Sequence, residues 1–258
     1  MGARDHDLSE AQVDVTYPPL DVLKSVAPDV WIVDSGPMQV YGMPTPIRMI
    51  VIRLANGDLL LHSPTRYTSQ LRAELEQLGR VRHLIAPNIV HWTFAQAWQQ
   101  ELPKVILWAA PKLASRRAVQ RAKLRIDREL NAIAPAEWRA QIVHILIKGI
   151  GFREVAFFHR ASKTLILTDM IVNLEPQKLP RPMALLMRLA GAAAPNGGAP
   201  RYLRALILLR RKEAREAVRH MVALAPIRVL FAHGAWFQDD GAERLRRSMR
   251  WLSAPVER

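Results

Sequence analysis

Polar residues fall at the ends of four strands, the place where α/β proteins usually do chemistry. The stretch LIAPNIVHW at 84–92 reads as a buried strand stopped by Pro87, then a turn carrying Asn88 and His91, then Phe94, Ala95 and Trp98 at helical spacing. A strand that runs into a polar turn at the start of a helix is a common ligand or metal position. The arrangement recurs along the chain, with His62 ending DLLLH, Asp169 following TLILT and His233 following IRVLFA. A carboxylate just past a buried strand can act as a ligand or a general base, which makes Asp169 the candidate catalytic residue; the alternative is that it caps the next turn. His62 reads as structural, because His and Ser can satisfy backbone groups at a strand end.

These residues need a sheet framework to bring them together. Residues 30–34 and 38–41 read as short strands joined by a Ser-Gly-Pro turn, and Pro44 and Pro46 as breaks ahead of the strand RMIVIRL at 48–54. Asn56-Gly57 is a hairpin signal, with DLLLH at 58–62 as the return strand. From Ser69 the period changes: Leu71, Leu75 and Leu78 mark a helix that Gly79 closes. The strand of the opening stretch, a helix over 93–101 and a strand over 104–110 follow, and 113–130 is expected to form one or two surface helices. This alternation requires crossover connections and a mixed sheet covered on its outer face.

The second half repeats the theme. IVHILI at 142–147, EVAFFH at 154–159 and TLILT at 164–168 are three strands, and IRVLFA at 227–232 is a fourth, leading to a closing helix over 242–252. Between them, residues 176–224 form a helical excursion rich in Pro, Gly and Ala, expected to act as a lid or a partner contact. The polar N-terminus is expected to be a disordered lead over residues 1–25, ahead of a single domain at 26–258.

Composition narrows the function classes. The chain has 258 residues, half of them hydrophobic, enough for a full core. Cysteine is absent, which excludes disulfides, thiolate zinc sites and cysteine nucleophiles, and fits the cytoplasmic location we expect. Any metal must therefore be held by His, Asp, Glu or Asn. The net charge of +14 favours acidic partners, yet many arginines, such as Arg116, Arg117 and Arg121, fall on solvent faces of predicted helices. No nucleic-acid recognition motif is present, so nucleic acid is not an expected partner, whereas a small-molecule ligand is, and peripheral contact with a membrane surface stays open. No signal peptide is evident, and the most apolar window, 183–194, is too short to span a bilayer.

The remaining tempting residues have structural explanations. His83, His144 and His159 flank apolar strands and read as surface or hydrogen-bonded core residues. Trp92 and Trp98 read as packing, and Gly149-Ile150-Gly151 is too short for a phosphate loop. Arg48 is expected to pair with a carboxylate near the pocket, although spacing does not single out which.

Strand ends that converge from two similar halves resemble the metallo-β-lactamase fold, an α/β αββα sandwich of two mixed β-sheets flanked by helices. Within that superfamily the chain is most similar to a bacterial and plant domain-of-unknown-function family, through RMIVIRL with NGDLLLHSPT, then LIAPNIVHW, LILTDMIVN and AHG. The resemblance runs from about residue 30 to 252 in the correct order. It implies a metal site of Asn88, His91, Asp169 and His233. The superfamily's His-x-His-x-Asp-His motif falls on Ala86 to His91, where only His91 survives as itself and Asn88 replaces a histidine. Ala86 and Val90 replace two further ligands, and the histidine expected near Ile150 is missing. Two imidazoles and one carboxylate suffice for one divalent zinc or iron, with Asn88 or water completing the shell, but not for two metals. The resemblance therefore implies either a mononuclear hydrolase of an ester, thioester or phosphoester, or a fold that has lost its metal and binds a small molecule or a protein.

Overall fold

Strict alternation of apolar residues on two faces of each strand dictates three layers of packing. The computed structural model describes residues 14–40 and 42–253. Its first half runs β1 (Lys24–Ala27), β2 (Val30–Val40), β3 (Met43–Arg53), β4 (Asp58–His62), α1 (Ser69–Leu78), β5 (Arg80–Ala86), α2 (Ala95–Glu101), β6 (Ile106–Ala109), α3 (Arg117–Ala122) and β7 (Arg128–Glu129). The strands form one mixed sheet in sequence order, antiparallel from β1 to β4 and parallel from β4 to β7.

The second half contains β8 (Ile142–Lys148), β9 (Arg153–His159), β10 (Thr164–Ile166), β11 (Val172–Asn173), α4 (Arg181–Ala190), α5 (Arg201–Leu208), α6 (Arg211–Ala223), β12 (Arg228–Leu230), β13 (His233–Gly234), α7 (Gly241–Ser248) and α8 (Arg250–Ser253). A mixed sheet takes the order β12-β10-β9-β8, and β11 pairs with β13. Within it β10 and β12 are parallel.

The sandwich follows from side-chain parity. Ile50, Ile52, Leu60 and Ile85 of the first sheet meet Val155, Phe157, Ile166 and Leu230 of the second in a core between the sheets. Their neighbours Met49, Val51, Leu59, Leu61 and Leu84 face outward, where α1, α2 and α3 cover them through residues such as Leu71, Leu75 and Trp98. Ala156, Phe158, Leu165 and Val229 likewise face outward under Leu203, Ile207, Met221 and Leu245 of α5, α6 and α7. Burying each such Leu, Ile or Phe contributes about 1.5–3 kcal/mol, and two-sided burial is why these strands read as unbroken apolar runs.

Local signals act as expected at α1. Thr68 caps it by accepting from Leu71 N at 3.1 Å, and Gly79 ends it. A side chain at Gly79 would stand 2.2 Å from the Gly57 carbonyl, so this position needs glycine to let the helix end approach the β3–β4 hairpin.

Several expectations are corrected. Residues 30–34 and 38–40 belong to one strand, because a register shift between Ser35 and Met38 absorbs Gly36-Pro37 as a bulge; Tyr41 lies outside the described residues. Pro44 and Pro46 do not precede β3 but lie within it, since β2 and β3 continue pairing past the body of the sheet. Residues 113–130 form one short helix and the edge strand β7. Of the expected disordered lead, residues 1–13 lie outside the described residues, whereas Val15 and Thr16 are buried and β1 begins at Lys24. Within the excursion over 176–224, α6 packs on the second sheet and α4 forms a small cluster with Val15, Val172 and Leu174.

Candidate metal centre

The strand directions bring the polar ends together. Because β4 runs parallel to β5 and β10 parallel to β12, their C-terminal ends lie at one edge of each sheet. The residues after them are Ser63, Asn88 and His91 on one side, and Asp169 and His233 on the other. His91, Asp169 and His233 each offer a ligand atom, all within 4.8 Å of one another.

Asp169 Oδ1 lies 3.2 Å from His91 Nε2 and 3.3 Å from His233 Nε2. Donors held about 2.0–2.1 Å from a tetrahedral ion sit roughly 3.3 Å apart, so this spacing suits a shared ion. The donor chemistry agrees. His233 Nδ1 is 2.7 Å from the Pro46 carbonyl, which can only accept, so that nitrogen carries the proton. In the neutral ring the Nε2 lone pair therefore points at a carboxylate oxygen, a repulsive contact unless a cation or a proton lies between them. His91 Nδ1 lies 2.6 Å from Ser63 Oγ, which orients that ring from behind.

The electrostatics follow from this proximity. Burial works against protonation of His91, but the Asp169 carboxylate outweighs it and, with Glu154, raises the imidazole pKa. Burial alone would raise Asp169, yet His91 and His233 hold its pKa well below the usual carboxylate range. Glu154 is pushed upward by its own burial and by the charge of Asp169.

Asn88, the fourth residue of the expected ligand set, is fully buried and occupied on both sides. Its Oδ1 accepts from the backbone N–H groups of Val90 and His91, each at 2.9 Å. Its Nδ2 donates to Asp169 Oδ2 at 2.7 Å and to Thr168 Oγ1 at 3.0 Å. The amide accepts on one side and donates on the other, and the result is a link between the β5 turn and the β10 turn.

Three contributors were not singled out by the sequence. Glu154 accepts from Thr168 N at 2.8 Å and Asp169 N at 2.9 Å, fixing the turn that aims Asp169. Ser63 supports His91. Asp34 is the partner of Arg48, at 2.6 Å. Of these, Asp34 leaves a hint in the sequence as the one charged residue in the apolar run VWIVD, whereas Glu154 follows Arg153 at the start of β9 and Ser63 follows His62 after β4.

The other histidines behave as core residues. His83 accepts from Trp108 Nε1, His144 accepts from Trp138 Nε1, and His159 bonds Ser162. His62 differs from expectation: it packs edge-on against Phe157, and neither ring nitrogen has a hydrogen-bond partner among the described residues. Burial, with His91 and His144 nearby, lowers its pKa to about 3. Trp92 and Trp98 belong to the outer core of the first sheet.

A cavity of about 540 Å³ adjoins the trio. Its lining is largely apolar, including Met38, Trp92, Phe152, Leu203 and Leu206, and Arg116 also borders it. Among the described residues Asp169 is the only carboxylate in that lining.

Comparison with known proteins agrees with this architecture. A metallo-beta-lactamase from Pontibacter korlensis superimposes with a TM-score of 0.61 at 13% identity, over 90% of this chain and 99% of that one. The metallo-beta-lactamase FIM-1 from Pseudomonas aeruginosa in its mono-zinc form gives 0.60 at 12% identity, over 93% and 96%. A metallo beta lactamase from Hirschia baltica gives 0.58 at 15% identity, over 90% and 97%. The fold is thus that of the metallo-β-lactamases, as the sequence resemblance implied. No curated protein matched the chain. The family described as Domain of unknown function (DUF4336) matches residues 28–189, well over half of the sequence, and the chain belongs to that family.

Proposed function

We propose that this protein is a mononuclear metal-dependent hydrolase of an ester, thioester or phosphoester, with His91, Asp169 and His233 holding one zinc or iron ion. One observation carries the reading: two imidazole Nε2 atoms from different halves of the chain face a single carboxylate oxygen at 3.2 and 3.3 Å. When bound, the ion would polarise a carbonyl or phosphoryl oxygen and activate water for attack.

The chain's own residues do the positioning. Ser63 and the Pro46 carbonyl orient the two rings, and Asn88 holds Oδ2 of Asp169 so that Oδ1 is the ligand. Asn88, implied by the resemblance as a ligand, is assigned here to orienting Asp169. The apolar cavity suits an acyl or aryl group and excludes water, while α5, which contributes Leu203 and Leu206, serves as the lid.

A second reading is a binding module without catalysis. It is favoured by the commitment of Asp169, whose Oδ2 is taken by Asn88 and whose Oδ1 faces both histidines, leaving no further carboxylate in the lining as a base. Metal analysis separates the two. Protein purified without chelator and supplied with zinc or iron should retain close to one ion per chain, and His91→Ala and His233→Ala should lose it. Retention below about 0.2 per chain would leave only the second reading.

A further inference from the structure

We infer that the surface built by α4 and α5 docks on an anionic phospholipid bilayer, a cavity among Arg201, Arg204 and Arg250 receiving lipid phosphate while neighbouring leucines enter the acyl layer. The inference is independent of the metal site.

The first observation is an apolar face turned to solvent. Of the eleven strongly exposed large apolar side chains among the described residues, seven fall between 185 and 209. On α5 and its end, Tyr202 (68% exposed), Leu206 (37%) and Leu209 (70%) recur at i, i+4 and i+7. On α4, Leu185 (57%) and Leu189 (58%) stand one turn apart. Buried positions on α5 need only Leu203 and Ile207, so the outward leucines contribute nothing to the core.

The second observation is charge. Residues 181–210 contain five arginines and no carboxylate. A cavity of about 340 Å³ is lined by Arg201, Arg204, Arg247 and Arg250 with Trp251, and no acidic residue lines it. Arg247 is neutralised by Glu243, but among the described residues Arg201, Arg204 and Arg250 have no ion-pair partner. Arg204 is fixed in place: it donates to the carbonyls of Ala199 at 2.6 Å and Gly191 at 3.2 Å and lies over the Trp251 ring. Burial and the neighbouring Arg201 and Arg250 depress its basicity, the expected signature of cations gathered without an anion. The buried Trp251 Nε1 also has no hydrogen-bond partner among the described residues.

The two features adjoin, because Gly191 closes α4 and accepts from Arg204 of α5. Nucleic acid or a free phosphate would use the arginines and leave the leucines wet. A bilayer surface supplies phosphate and hydrocarbon within one plane, and helices of ten and eight residues are too short to cross it but suited to lie in it. Leu203 and Leu206 of α5 also line the cavity beside His91, so docking would set that cavity next to the lipid.

The test is co-sedimentation of the full chain with vesicles of phosphatidylcholine alone or with about one-third phosphatidylglycerol. Binding is expected only with the anionic vesicles. Arg201→Glu with Arg250→Glu, and separately Leu185→Ser with Leu189→Ser, should each lower it at least about tenfold while leaving the melting temperature in place. Arg117→Glu with Arg121→Glu, an equal charge change on α3, should leave it largely intact. Three outcomes overturn the inference: no binding to anionic vesicles, equal loss in the control pair, or binding indifferent to either test pair. Inorganic phosphate bound tightly by the free protein, with no vesicle binding, would overturn it in favour of a soluble phosphorylated ligand.

Discussion

Arg48 and Asp34 form an ion pair 2.6 Å apart, closed to solvent, and the same guanidinium donates to the carbonyls of Phe231 and Gly234 around His233. This couples the first sheet to the loop that presents a candidate ligand.

Replacing Arg48 by Met should therefore cost both stability and metal. Removing one partner of a buried pair costs about 3–5 kcal/mol, and we expect the lower end because Lys24 also reaches Asp34 at 2.8 Å. Arg48→Lys should not rescue it, since an ammonium cannot span the carboxylate and two carbonyls. Chemical denaturation and zinc titration measure the two effects separately.

Asn88→Ala should weaken metal binding by about 10–100-fold, because Asp169 loses the donor on Oδ2 and the His91 backbone loses its acceptor. Asn88→Asp should be less stable still in metal-free protein, since it places a third carboxylate beside Asp169 and Glu154. Competition with a chromogenic chelator reads the first effect and thermal melting the second.

Stability should fall on acidification from about pH 6.5 toward pH 4, apart from any effect at the candidate metal site. His83 and His144 are buried with pKa values lowered to about 4, mainly by burial. Unfolded, each titrates near the ordinary histidine value of 6.5, so the unfolded chain binds more protons throughout this window. Their contribution is whole above pH 6.5 and is lost as pH drops through the folded values. His83→Gln with His144→Gln should reduce the dependence of melting temperature on pH across that interval, leaving the part carried by His62, whose pKa is lowered to about 3.

His62→Leu should be neutral or stabilising by about 1 kcal/mol, since it replaces a buried ring with two unpaired nitrogens by an apolar group of similar size. A melting temperature several degrees lower would show that those nitrogens hold an ordered water or another polar partner.

The layered fold was legible because alternation is local: RMIVIRL and EVAFFH each declare two buried faces within seven or six residues. His91, Asp169 and His233 were legible as the polar residues that end such strands. The boundaries at Pro37, Pro44 and Pro46 were not, because a bulge and an extended hairpin arm accommodate residues that would break a central strand. Nor were the supports of the site. Glu154 acts on Thr168 and Asp169 through backbone N–H groups, and Asn88 meets Asp169 across 81 residues, contacts that leave no periodic trace.

The three candidate ligands are contributed by both halves of the chain, His91 from the turn after β5 of the first sheet, Asp169 from the turn after β10 of the second, and His233 from β13, which pairs with β11 beside it. No half folded alone can assemble the trio, so occupancy would report that the whole sandwich has closed. An ion bound this way would act as a clasp, and its free concentration would tune how often the two halves part.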